Sequence, residues 1–329
     1  MGDIMNFKFD NVYLLDSFVI GGEVERKGQI SSYIDYFNVF KEKNFENNEL
    51  ESLYSSIDHL LEKNNLNISD IDLAISGELS NQLAISHYTY RRLLIPFIGV
   101  YSACSTICLE IGLASLLLQN DNINKILIST SSNTECAERQ FRNPNEYGGE
   151  KLLSQTYTST ISASAILTNE KSKIKITSFT LGKIIDIGFT DVNDFGRAMT
   201  PCAIEALLTH FKLTNTEPKD YDLILTGDLS KYGYELVKKA MIDHFVYIDN
   251  YNDCGLLLYD INSQNVFAGG SGPGTSAGVL FSYVKKRMLK GELKKALLCA
   301  TGALISPTMI AEGESIPCIA HCIVMEAAL

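Results

Sequence analysis

Several things are missing from this 329-residue chain, and each absence removes a class of function. No run of about 18 apolar residues occurs, so no stretch of the sequence reads as a bilayer-spanning helix. A basic excess is missing: 28 Lys and Arg stand against 39 Asp and Glu, for a formal net charge of −11. That balance argues against nucleic acid, whose phosphates need a cationic face. It also argues against simple electrostatic adhesion to an anionic membrane. The opening MGDIMNFKFD lacks the basic and apolar regions of a secretory signal, and the Ser or Thr of a myristoylation site. Eight cysteines are present, but no two have CxxC spacing. They are expected to be reduced, buried thiols rather than zinc ligands, which must converge in a set of about four.

What is present is an apolar chain with an internal echo. Hydrophobic residues make up 46% of it. Leu50, Leu53, Ile57, Leu60 and Leu61 recur at helical spacing. The stretch DLAISGELS (72–80) then reads as a strand buried on both faces, as in a central α/β sheet. It returns as DLILTGDLS (222–230), and each copy is followed by a helical segment. NKILISTSSN (124–133) likewise matches KKALLCATGA (294–303), and SASAILTNE (162–170) matches AHCIVMEAA (320–328). Amphipathic helices over 104–119 and 275–290 are expected ahead of the second pair. The repeated order implies two α/β halves, 1–172 and 173–329, related by a pseudo-twofold axis.

Two segments carry candidate chemistry. YSACSTICLEIGLASLLLQ (101–119) delivers Cys104 to a helix start, where unpaired amides favour a thiolate or a bound anion. AGGSGPGTSAG (268–278) is glycine-rich, but no Lys follows as in a P-loop and its glycines do not have dinucleotide-binding spacing. It is expected to bring backbone close to a pocket and to begin a helix with inward-facing amides. Of the five histidines, His59, His87 and His210 fall in helical stretches, and His244 falls at a helix end. His321, entering the last strand, is the histidine that could reach a pocket.

Two duplicated halves with Cys104 at the start of a buried helix resemble the thiolase fold of thiolases and ketoacyl synthases, a layered α-β-α-β-α sandwich. Within it the chain is most similar to the stage V sporulation protein AD family. ISGELSNQ, YSACST, AERQFRNPNEYGG, NDCGLLLYD, GGSGPGTSAGVL, KRMLKGELKKALLCATGALISPT and GESIPCIAH carry the resemblance in order along the chain. It departs from the family pattern in having no tryptophan and in carrying Asn133 where His is expected.

The resemblance implies a non-catalytic protein that binds dipicolinic acid and serves its uptake into, or release from, the spore. It implies a peripheral place on the cytoplasmic face of the forespore inner membrane, beside integral membrane proteins of the same system, and a homodimer. No cofactor is expected, and calcium only as part of the ligand. Active relatives carry a His where this chain has Thr226, Gly227 and Asp228, and a His or Asn in the loops matching NDCG and GGSGPGTS. No His occurs in either loop here, although Asn252 lies near the first. The alternative reading is a working acyltransferase using Cys104 with His321 as base. A dianion would need donors. The candidates are Cys104, Ser105 and Thr106 at the helix start, Gly270, Ser271 and Gly272 in the glycine-rich loop, Ser306, His321, and Arg139 or Arg142. Glu78 and Asp228 would fix loops, meet a ligand-borne calcium, or donate as neutral acids.

Overall fold

The computed structural model describes residues 4–38, 44–141 and 151–328. The first half runs β1 (Tyr13–Gly21), α1 (Phe45–Lys63), β2 (Leu73–Gly77), α2 (Ala84–Leu93), β3 (Phe97–Gly99), α3 (Thr106–Leu117), β4 (Lys125–Ser132), α4 (Thr134–Phe141) and β5 (Ile161–Thr168). The second half runs β6 (Ile174–Leu181), α5 (Phe195–Thr214), β7 (Leu223–Thr226), α6 (Ser230–Asp243), β8 (Tyr251–Asp253), α7 (273–289), β9 (Lys295–Ala303) and β10 (Cys318–Ala327). Helix α7 is α-helical over Pro273–Gly278, π-helical over Val279–Val284 and α-helical again over Lys285–Leu289.

The spatial order is β3-β2-β4-β5-β1 in the first half and β8-β7-β9-β10-β6 in the second. In both, the third, second and fourth strands run parallel and the fifth returns antiparallel. The sequence echoes at 72–80 and 222–230 are thus the second strands, and the later pairs are the fourth and fifth. The halves meet where β1 pairs with β6, at Tyr13–Lys175 and Leu14–Ile174.

Local chemistry explains the elements. Asn44 caps α1 by accepting from the Asn47 amide, and the helix buries Leu50, Leu53, Ile57, Leu60 and Leu61 as its spacing predicts. Helices α1 and α5 cover the outer faces of their own half-sheets. Helices α3 and α7 differ from the expectation of amphipathic segments. Thr106, Ile107, Cys108, Glu110, Ile111, Gly112, Ala114 and Ser115 of α3 are all buried. The helix touches β2, β4 and β5 on one side and β6, β9 and β10 on the other. Leu109, Leu113, Leu116 and Leu117 are only partly buried, so the face left nearest solvent is apolar and the helix has no polar side.

That enclosure sets tight packing rules. A Cβ added at Gly112 would enter the ring of Phe179 on β6. Gly112→Ala is therefore expected to lower stability by about 1–3 kcal/mol through overpacking, although the change favours an isolated helix. Urea unfolding measures this, and an unchanged midpoint would show that the two halves can separate freely around α3.

Candidate functional site

The parallel strands of both halves end at one place. Gly77 ends β2, Ser132 ends β4, Thr226 ends β7 and Ala303 ends β9. Between them the chain turns through Ser102 into a single 3₁₀ turn, Ala103–Ser105, and on into α3. Ala103 sits at φ 46, a left-handed conformation that costs an L-residue about 1 kcal/mol or more. Gly302 accepts the turn's close approach, because a Cβ there would collide with the Ser102 carbonyl.

The turn is held from behind. Gly182 N donates to His321 Nδ1 at 3.1 Å, which leaves Nε2 to carry the proton and donate to Ser102 Oγ at 3.2 Å. Ser102 Oγ lies 2.6 Å from Ser105 Oγ, which in turn donates to the Ser102 carbonyl. Burial pushes His321 down to about 4, so the ring is neutral near pH 7. His321 thus supports the turn and does not face the cleft, contrary to the expectation of a pocket histidine. His210 is also a bonded core residue, between Thr180 and Tyr221.

Cys104 is almost fully buried and forms the floor of a narrow cleft of about 40 Å³. Tyr101, Phe141 and Phe195 supply aromatic walls; Leu79, Met199 and Ile305 supply aliphatic ones. Thr156, Thr158 and Ser271 are its polar edge. An outer cavity of about 330 Å³ shares Leu79, Tyr101, Phe141 and Ile305 with the cleft and adds Ser306, Asn81 and Gln82. The loop bounding it carries two successive residues with positive φ, Gln82 at 62 and Leu83 at 54. Among the described residues, no lysine or arginine lines either space.

Asp228 dominates the electrostatics. Its carboxylate is fully buried and accepts from Ser271 Oγ at 2.8 Å, Thr301 Oγ1 at 2.9 Å and Gly272 N at 3.2 Å. Ser271 Oγ is 3.9 Å from Cys104 Sγ. Burial, then the facing Asp228 carboxylate, raise the Cys104 thiol well above its ordinary range. The helix-start position that lowers a thiol pKa is therefore overruled here. Burial likewise raises Asp228 itself.

Glu78, the first half's counterpart of Asp228, is spent locally. It accepts from the Ile85 amide at 3.1 Å, the Ser86 amide at 3.4 Å and the Ser80 amide, capping α2. Burial and the neighbouring Glu49 carboxyl outweigh these donors and push Glu78 up to about 8. In the second half Asp253 takes the capping role, accepting from the Leu229, Ser230 and Gly255 amides and from Thr226 Oγ1.

Of the residues nominated from sequence, Cys104, Ser271 and Ser306 line the cleft or the outer cavity. Ser105 and Thr106 do not: their hydroxyls bond the Ser102 and Ala103 carbonyls, and their amides close the same turn. Gly270 and Gly272 are turned inward, the first by Ser230 on its carbonyl and the second by its bond to Asp228. Arg139 pairs with Glu46 and lies over the Phe45 ring. Arg142 lies outside the described residues. Sequence reasoning missed Phe195, Met199, Thr156 and Thr158, which carry no motif; Tyr101 stood in the quoted YSACST stretch.

This cleft, at the meeting of two α/β repeats around a buried helix that begins at a cysteine, defines a thiolase-like protein. Solved structures of that fold agree. Over 96% of this chain and 99% of the other, 3-oxoacyl-[acyl-carrier-protein] synthase III from Aquifex aeolicus VF5 superposes with TM-score 0.57 and 10% identity. An OleA variant from Xanthomonas campestris gives TM-score 0.66 and 11% identity over 97% of each chain. The family model for stage V sporulation protein AD matches residues 5–326, and the chain belongs to that family. It is 41% identical over 321 residues to stage V sporulation protein AD of Bacillus subtilis (strain 168), covering 96% of this chain and 95% of that protein.

If the Asp228 carboxylate suppresses the thiol, Asp228→Asn should raise the iodoacetamide alkylation rate of Cys104 at pH 8 by about three- to ten-fold. Peptide mass spectrometry over time reads the rate. An equal or slower rate in a variant that still folds would show that burial alone silences the thiol.

Proposed function

We propose that this chain binds dipicolinic acid in the cleft and outer cavity over Cys104, and does so without chemistry. The observation that carries the reading is the Cys104–Asp228 pair. A nucleophilic cysteine needs a base that accepts its proton and donors that stabilise an oxyanion. Here a buried carboxylate faces the thiol, and no histidine lines the cleft among the described residues. The aromatic walls suit a flat ring. Asp228 lies behind this lining, with both its oxygens taken by Ser271, Gly272 and Thr301, so its charge is partly met before a dianion arrives. Calcium, where present, would enter with the ligand.

The protein would act as a homodimer at the cytoplasmic face of the forespore inner membrane, beside integral membrane proteins of the stage V system. No helix among the described residues is long and apolar enough to cross a membrane, and the net charge of −11 favours a protein dock over general adhesion to anionic lipid. The halves 1–172 and 173–329 would form one binding unit, since the cleft draws residues from both.

The alternative, acyl transfer through Cys104, has the fold's enzymes and the apolar cleft lining in its favour. Thermal melting with dipicolinate, calcium dipicolinate and acetyl-CoA separates the readings, because a ligand of the native state stabilises it by mass action. Dipicolinate is expected to raise the melting temperature, and acetyl-CoA to leave both it and the intact mass unchanged. A mass increase on acetyl-CoA that Cys104→Ser abolishes would establish the enzyme instead.

Binding should also depend on pH. Glu78, next to the cavity-lining Leu79, is protonated below about 8 and gains a negative charge above it. Dipicolinate affinity is expected to fall between pH 7 and pH 9 by titration calorimetry, with a shallower fall in Glu78→Gln. An affinity that rises over this interval would show that the carboxyl acts on the ligand in the opposite sense.

A further inference from the structure

At the other end of the sheet lies a cavity that the cleft does not use. Thr168, ending β5, pairs with Lys125 at the start of β4, so this end is a full strand from the Cys104 turn. At about 3.3 Å per residue the eight-residue strand β4 separates the two by roughly 25 Å. The cavity measures about 400 Å³ and lies at the join between β1 and β6. Lys63, Lys173, Lys285 and Lys286 line it, with Asp16 as the lining carboxylate.

The lysines come from three distant parts of the chain, and the fold gathers them deliberately. Ser17 Oγ donates to the Phe281 carbonyl within the π-helical turn of α7. One turn on, Lys285 is 3% exposed and donates to Asp16 Oδ1 at 2.8 Å and to the Ser17 carbonyl at 2.9 Å. Lys63 takes the other Asp16 oxygen at 2.7 Å. Lys286 pairs with Asp35 at 2.7 Å. Lys173 is exposed and meets no carboxylate among the described residues. Four lysines thus face two carboxylates, in a protein whose net charge is −11. Asp16 is already shared by two lysines and also accepts from the Ser17 amide. The local excess of positive charge is left for an outside anion.

The donor set indicates which anion. Lysine ammonium groups are point charges that suit a phosphate's several oxygens, whereas planar carboxylates are read best by arginine forks. Among the described residues no arginine and no aromatic ring lines this cavity, so a flat aromatic dicarboxylate finds neither a fork nor a stacking face. Leu15 and Leu289, the latter half exposed, add an apolar edge that suits the organic part of a phosphate ester.

The geometry points to a second ligand site here, for a phosphate group, separate from the dipicolinate cleft. The phosphate belongs to a soluble ester or to a lipid headgroup, and the two sources are separable by experiment. The full chain and its Lys63→Gln/Lys173→Gln variant are titrated with pyrophosphate by calorimetry at low salt. Both are also sedimented with vesicles of phosphatidylglycerol and of phosphatidylcholine. The wild type is expected to bind pyrophosphate, phosphatidylglycerol vesicles or both, and the variant to bind about ten-fold more weakly. Pyrophosphate binding identifies a soluble ester as source, and vesicle binding without it a headgroup. Melting temperature and dipicolinate affinity should stay at wild-type values in the variant, which keeps this site distinct from the cleft. Failure of both probes to bind, equal binding by the variant, or a parallel loss of dipicolinate affinity overturns the proposal.

Discussion

The structure depends on holding one helix between its two half-sheets. Helix α3 has a half-sheet on either side, and the apolar area this removes from water joins the repeats together with the β1–β6 pairing. Enclosure explains why Gly112 meets Phe179 with no room for a Cβ, and why the turn before the helix is built from Ser102, Ala103, Cys104 and Ser105. It also places the helix start, with Cys104, at the point where strands from both halves end.

Enclosure then raises the electrostatic stakes. A polar group inside such a core must be bonded or neutral. Asp228, Asp253 and Glu78 meet this demand by gathering amides and hydroxyls around themselves, and burial still raises all three. Buried carboxyls facing a thiol make a poor place for a thiolate. The chemistry available at this corner of the fold is set by which side chains face Cys104.

Much of the fold was legible because it is written twice. Paired stretches such as DLAISGELS and DLILTGDLS proved to be the same strand in each repeat, at the same place in the sheet. Helices α3 and α7 were placed well by their sequence but misjudged in character. A short apolar helix reads alike whether it packs on one half-sheet or between two, and only the second half decides that. The site was less legible. The turn at Cys104 and the neighbouring Tyr101 stood in one motif, whereas Phe195 and Met199 come from a helix in the other half with no motif of their own.

By itself the sequence determined the family, the duplicated α/β plan, the position of Cys104 at a helix start, and the acidic charge balance. Those properties follow from local pattern and composition, which need no knowledge of neighbours. Only the tertiary structure decided how the polar candidates are used. His321 supports Ser102 across 219 residues of sequence, Arg139 is taken by Glu46, and Asp228 holds the glycine-rich loop while facing the thiol. A hydrogen bond or charge pair is a property of two groups in space, and in this chain the partners lie far apart in sequence until the fold brings them together.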